Sequence, residues 1–194
     1  MKRKNLSRLS TGAPVISFFF LILLLSCGKT GPAGPQGNAN VVEDTFTITS
    51  SQWLWNSQYN FETSPGGSTE YFTRYYDAAF PSATQDILNT GMVLVYFTPN
   101  PINNNQWAPL PYQFTGFGGG FDYNIVYETK VGSVRLHYFF VSRSTSATIP
   151  TLSTYNMATY KFKLVAVSGK IVSGMKKAHI DPNDYNAVSH FVGF

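Results

Sequence analysis

An all-β, antiparallel sandwich with one or two short helices, one of them C-terminal, is the fold that this 194-residue sequence predicts. Three observations carry that expectation. Apolar residues alternate at period two over short segments, which marks half-buried strands. Clusters of Gly, Pro, Asn and Ser at 64–68, 99–105, 116–120 and 143–153 separate those segments as turns and loops. Aromatic residues make up 16% of the chain, a composition that favours pleated, half-buried surfaces over disorder.

The strand segments run in chain order. VVEDTFTITS (41–50) sets Val42, Asp44, Phe46 and Ile48 on one face. SQWLWNSQYNF (51–61) sets Trp53, Trp55, Tyr59 and Phe61 at period two, and ETSPGGSTEY (62–71) closes a hairpin after it. GMVLVYF (91–97) is apolar throughout, as a central strand covered on both sides requires. FDYNIVYET (121–129) alternates Phe121, Tyr123, Ile125 and Tyr127 against Asp122, Asn124, Val126 and Glu128. SVRLHYFFV (133–141) groups Val134, Leu136, Tyr138 and Phe140; YKFKLVAV (160–167) groups Tyr160, Phe162, Leu164 and Ala166, with Lys161 and Lys163 facing away. A two-layered sandwich accounts for this series. Two helices are expected. SATQDILNTG (82–91) offers Ser82 as N-cap and Gly91 as stop, and DPNDYNAVSHFVGF (181–194) offers Asp181 as N-cap and Pro182 at the first helical position.

The N-terminal segment carries a different message. Residues 1–14 are polar and basic, and VISFFFLILLL (15–25) is a run of eleven residues, apolar but for Ser17. As a helix the run would reach roughly 17 Å, well short of a hydrocarbon core of about 30 Å, so an exported leader fits better than a spanning helix. Ser26 then precedes Cys27, the only cysteine in the chain. LLSC (24–27) resembles a bacterial lipobox. That resemblance implies cleavage before Cys27, lipidation of its thiol and acylation of the new amine. Two or more acyl chains suffice for stable attachment to a membrane. Gly28, Gly31, Gly34 and Gly37 head the collagen-like triplets GKT, GPA and GPQ and a polar stop. Three triplets are too few for a triple helix and read as a semi-extended linker. The expected organisation is a lipoprotein signal peptide over 1–26, a lipidated cysteine and collagen-like linker over 27–37, and a β-sandwich domain over 38–194.

Charge and composition exclude several classes. The formal charge is +4, with fourteen Lys and Arg against ten Asp and Glu. Lys2, Arg3, Lys4 and Arg8 account for the whole excess, so the chain from Cys27 onward is balanced. No clustered basic face marks a nucleic-acid partner. A single cysteine forms no internal disulfide and no CxxC site.

Ordered motifs add a family resemblance. NANV (38–41), GMVLVYF (91–97), WAPLPY (107–112), YKFKLVAVSG (160–169) and DYNAV (184–188) come after the GPAGPQG stretch in that order. The set resembles Bacteroidetes lipoproteins that carry a GPxGPxG segment and a C-terminal β-sandwich domain of uncharacterised function. The resemblance implies a sandwich lipoprotein exported to the outer membrane, with no catalytic residue to carry over. Surface-exported lipoproteins of that phylum often carry acidic residues after the cysteine, whereas Gly28-Lys29-Thr30 stands here.

Chemistry-bearing constellations are sparse. His137, His179 and His190 form no HExxH or HxH pattern, so local spacing supports no metal site. GFGGGF (116–121) lacks the Lys-Ser/Thr ending of a phosphate loop and reads as a hairpin loop. No GxSxG elbow occurs; Ser168-Gly169 ends a strand. Asp181, Asn183 and Asp184 read as capping groups, since a calcium loop needs more oxygen ligands and a glycine. No catalytic residue, metal or cofactor is therefore assigned. A non-enzymatic structural or binding role leads, with a membrane partner through the N-terminal lipid, a glycan or envelope protein as further partner, no nucleic acid and a monomeric state. A carbohydrate-binding role is the alternative. It requires Trp53, Trp55, Trp107 and Tyr112 to share an exposed surface on which sugar rings stack; the competing reading buries them in the core. A hydrolase would need two carboxylates, or a serine and a histidine, converging in a cleft.

Overall fold

Val93, Val95 and Phe97 alternate along one strand with Met92, Leu94 and Tyr96, and a strand apolar on both sides needs cover on both. The computed structural model, which describes residues 40–100, 106–116 and 118–194, supplies that cover with three layers. The leader, Cys27 and the glycine triplets lie outside the described residues, as do residues 101–105 of the predicted 99–105 loop.

Among the described residues, nine strands pair in two antiparallel sheets. A four-stranded sheet has the order β1 (Val41–Ile48), β9 (Tyr160–Val167), β4 (Met92–Phe97) and β5 (Ala108–Pro109). A five-stranded sheet has the order β2 (Leu54–Ser64), β3 (Gly67–Ala79), β8 (Ser133–Ser142), β7 (Phe121–Lys130) and β6 (Tyr112–Thr115). Their facing sides bury Ile48, Phe97, Ile125, Leu136, Phe162 and Leu164 completely. The fold is an all-β antiparallel sandwich, as the alternation predicts. The inward sets on β7, β8 and β9 are the ones named from the sequence, with Tyr123, Tyr127 and Phe140 packed against the buried core.

The third layer lies on the outer side of the four-stranded sheet. Helices α2 (Gly169–Lys177) and α3 (Tyr185–Val192) bury Val172, Met175, Val188 and Val192 against Tyr96, Val165 and Val167. This layer explains why β4 and the second half of β9 read as continuous apolar runs. It also adds α2, which the sequence reading does not anticipate: Ser168-Gly169 ends β9 and at once opens a helix.

Both anticipated helices start later than expected. Helix α1 runs Gln85–Thr90, and its cap is Thr84, whose side chain accepts from Ile87 N. Ser82 is excluded because Ala83 has another task. Its N–H donates to Phe80 O at 2.9 Å and its carbonyl accepts from Gly132 N at 2.9 Å, which ties the chain to the β7–β8 turn. In α3 the cap is Asp184, which accepts from Ala187 N at 3.0 Å. Asp181 instead accepts from Asn183 N at 2.9 Å in the preceding turn, and the Pro182 carbonyl accepts from the Tyr96 hydroxyl at 2.8 Å. Asp44 on β1 is exposed and Val42 with it. On this strand Phe46 and Ile48 join the sandwich core.

The hairpin joining β2 to β3 pairs Ser64 with Gly67 across Pro65-Gly66. Gly66 has φ +78°, the left-handed value that the second central residue of such a turn needs.

Candidate functional site

The period-two row of aromatics in 51–61 does not survive as one face. Asn56 adopts φ +76° and marks a shift in register: Trp55 pairs with Arg74, but Ser57 pairs with Thr73. A bulge of this kind turns the remainder of the strand to the opposite side. Trp53 precedes β2 and is 2% exposed in the sandwich core. Trp55 is 44% exposed. Trp107 packs with the helical layer on the far side of the other sheet, and Tyr112 packs edge-on against Phe97 inside the sandwich, with ring centres 5.0 Å apart. The four residues named from the sequence as a ligand surface are thus not brought together.

Another aromatic group does converge. The segment after the 3-10 turn at Leu152–Thr154 packs on the sandwich core through Tyr155 and Met157. It is held there from both directions: Met157 N donates to Ser50 Oγ at 2.9 Å, and Met157 itself is buried in the core. Beside it lies a cleft of about 500 Å³ whose walls include Phe114, Tyr123, Tyr138, Tyr155 and Tyr160. Each comes from a different element, and the strand residues point inward because of alternation: Phe114 from β6, Tyr123 from β7, Tyr138 from β8 and Tyr160 from β9. Phe114 and Tyr123 stack at 4.5 Å with planes 3° apart. The Tyr123 and Tyr155 hydroxyls lie 3.0 Å apart. Burial, then the hydrogen bond shared with the Tyr123 hydroxyl, pushes the Tyr155 hydroxyl up to about 12. Burial raises Tyr138 and Tyr160 as well. All three remain protonated at neutral pH, so the cleft combines ring faces with neutral hydroxyl donors.

Tyr155 and Asn156 also wall a second hollow of about 510 Å³, next to the 3-10 turn at Ser50–Gln52. Its chemistry is polar. Arg74, from β3, reaches its floor and donates to Tyr155 O at 2.8 Å, Ser50 O at 3.1 Å and Trp53 O at 2.6 Å. Thr49, Ser50, Ser51, Ser153 and Thr154 line the rest of it. This hollow had no sequence signal, because its residues lie on separate stretches of the chain.

The outer side of the five-stranded sheet carries the nearest approach to catalytic geometry. Thr73 Oγ1 lies 2.9 Å from His137 Nδ1, and His137 Nε2 lies 3.3 Å from Glu128 Oε2. A carboxylate only accepts, so Nε2 carries the proton and Nδ1 accepts from Thr73. Hydroxyl, imidazole and carboxylate are in sequence. Yet Thr73 and His137 are completely buried, with the Tyr59 ring 5.3 Å from the imidazole, so no substrate reaches the hydroxyl. Burial, opposed by the Glu128 hydrogen bond, leaves the His137 pKa lowered. The trio joins β3, β8 and β7 across the sheet. The other carboxylates in ion pairs are Asp77 with Arg135, Asp122 with Arg143 and Glu43 with Lys163, and none lines either hollow. Among the described residues, no three His, Cys, Asp or Glu side chains are grouped to hold a metal.

Fold and site together define a helix-backed β-sandwich in which Tyr155 and Asn156 wall both an aromatic cleft and a polar hollow lined by Arg74. Comparison with models of protein families, with curated proteins and with solved structures produced no match to this chain.

Proposed function

We propose that this chain is a lipid-anchored protein of the cell envelope, most naturally of the outer membrane, with a non-enzymatic binding role, and that it binds glycans at the aromatic cleft. The leader, the LLSC motif and the lone Cys27 support the anchor. The GPxGPxG resemblance supports the envelope setting, and the triplets after Cys27 serve as the spacer between lipid and domain.

One observation carries the binding role: the aromatic residues Phe114, Tyr123 and Tyr155 line one cleft, where the Tyr123 and Tyr155 hydroxyls lie 3.0 Å apart. A sugar presents an apolar face for stacking and hydroxyls at its rim, and aromatic side chains with polar tips match both. The aromatic set differs from Trp53, Trp55, Trp107 and Tyr112, which the sequence suggested. A hydrolytic role draws no support, since neither hollow contains a carboxylate pair or a histidine.

The test uses full-length protein purified from membranes in detergent and applied to a glycan array. Binding is expected, and Tyr123→Ala should weaken it about tenfold, the worth of one aromatic contact. An array without signal overturns the glycan role. Mass spectrometry of the same material should find acyl chains on Cys27; an unmodified thiol there overturns the anchor.

A further inference from the structure

Arg74 is a half-buried cation without a counter-charge. Three ion pairs occur among the described residues, on Arg135, Arg143 and Lys163, and Arg74 takes part in none. Its guanidinium has five N–H donors. Three are committed to backbone carbonyls, and Nε is buried with no acceptor at all. Carbonyl oxygens hold the group in place but carry only partial charge, so its unit positive charge stays uncompensated. Burial lowers its pKa without bringing it near neutrality. A cation so placed ordinarily has an anion beside it.

The hollow next to it fits that role. Arg74 is the single charged residue among those that line it, and the rest of the lining is polar and mostly hydroxyl-bearing: Thr49, Ser50, Ser51, Ser153 and Thr154 with Tyr155 and Asn156. One Nη1 N–H is not taken by a protein acceptor, so the guanidinium can meet a carboxylate through a single charge-assisted hydrogen bond. Tyr155 joins this hollow to the aromatic cleft: its backbone carbonyl accepts from Arg74, while its ring and hydroxyl face Tyr123.

We propose that the Arg74 hollow is a subsite for the carboxylate of an acidic sugar, so that the glycan bound in the cleft is a uronic-acid oligosaccharide. This rests on the glycan reading and narrows it. The sugar ring stacks in the aromatic cleft, and the carboxylate of the same or the adjoining unit meets the guanidinium among the hydroxyls.

Calorimetry on the full-length protein in detergent, with three probes, tests the assignment: trigalacturonate, its carboxyl-reduced neutral counterpart, and a sulfated galactotriose. Trigalacturonate should bind about tenfold more tightly than the neutral trisaccharide, and the difference should shrink as salt rises. Arg74→Gln should erase the preference. Because Arg74 also clamps three carbonyls, a second variant keeps the outcome readable. Ser153→Asp sets a carboxylate inside the hollow and leaves every Arg74 bond in place, and it should lower trigalacturonate affinity about tenfold while sparing the neutral probe. Equal binding of acidic and neutral probes, indifferent to salt, overturns the subsite and leaves the glycan role standing. Preference for the sulfated probe overturns the carboxylate assignment. Failure of all three probes to bind overturns the subsite, and an array without signal would then remove the glycan role as well.

Discussion

Lys163 Nζ stands 4.9 Å from the centre of the Phe194 ring. The same ammonium lies 5.2 Å from the Trp107 ring and 5.4 Å from the Tyr185 ring, and donates to Glu43 Oε2 at 2.8 Å and to the Tyr185 hydroxyl at 3.1 Å. Three elements that are remote in sequence meet on one charge: β1, the segment before β5, and α3 with the residues after it. Burial opposes the ammonium, but the hydrogen bonds to Glu43 and Tyr185 outweigh it, and the pKa is raised. Lys163 is therefore a fastener for the helical layer.

Removing it should loosen that layer first. Lys163→Ala should cost about 2–3 kcal/mol, chiefly the lost cation–π contacts with three rings, with a small share from the part-exposed ion pair. Glu43 is 42% exposed at its side chain, so Glu43→Gln should cost only about 0.5 kcal/mol. Urea unfolding measures both, and hydrogen exchange should place the added mobility in α2 and α3. Equal losses for the two variants would mean that the ion pair, and not the aromatic cage, holds the layer.

His137 sets an acid limit on stability. Its folded pKa lies below the ordinary 6.5 because burial outweighs the pull of Glu128; Arg135 and Asp77 also face it, the first lowering and the second raising the value. Above pH 6.5 neither folded nor unfolded chain protonates the ring. As pH falls through that value the unfolded chain takes up a proton that the folded one refuses, so stability declines until the folded pKa is reached. Asp77 acts in a lower window. The hydrogen bond from Arg135 depresses its pKa below 3.8, and its contribution disappears as pH falls through the folded value. Urea midpoints should drop between pH 7 and pH 5 in the native chain and should drop less in His137→Gln, which keeps polar groups but does not titrate. Parallel slopes in the two proteins would refute the assignment.

Gly91 is required by proximity and not by a left-handed backbone. A Cβ at this position would collide with the backbone carbonyl oxygen of Val167 and press on that of Ile87. Both oxygens belong to backbone, so neither can swing aside. Gly91→Ala should destabilise the fold by about 2 kcal/mol or more, read as a lowered thermal midpoint. An unchanged midpoint would show that β9 can shift to make room.

Much of this architecture was legible in the sequence because alternation is local. The inward residues of β7, β8 and β9 each come from one strand's own pattern, and the Pro65-Gly66 turn comes from its two residues. The features that escaped notice depended on distant partners. Asn56 looks ordinary, yet its positive φ breaks the period-two row that Trp53 and Tyr59 share on paper. Lys161 and Lys163 read only as facing away from the Tyr160 set, because nothing local announces that Trp107, Tyr185 and Phe194 gather around Lys163. Helix α2 went unseen because its short GKIVSGMKK segment contains two glycines and few apolar residues. Ser82 and Asp181 were chemically sound caps, displaced by the demands of Gly132 and Tyr96 across the fold. The Arg74 hollow was invisible for the same reason: its wall comes from 49–51, position 74 and 153–156.

The tryptophans and the tyrosine cleft make opposite predictions for ligand binding. Trp55 is the well-exposed tryptophan at 44%, and in a Trp53→Phe, Trp107→Phe background its emission should be red-shifted and readily quenched by acrylamide. It does not line the aromatic cleft, so Trp55→Ala should leave glycan affinity within about twofold, the range expected for a residue outside the contact. Phe114→Ala should weaken binding about tenfold, because it removes the ring stacked on Tyr123 and frees that tyrosine to turn. Tyr123→Phe separates stacking from hydrogen bonding: it keeps the ring and deletes the hydroxyl paired with Tyr155, and should cost about threefold to tenfold. The reverse order, with Trp55→Ala the most damaging of the three, would move the binding surface to the β2–β3 hairpin and away from the aromatic cleft.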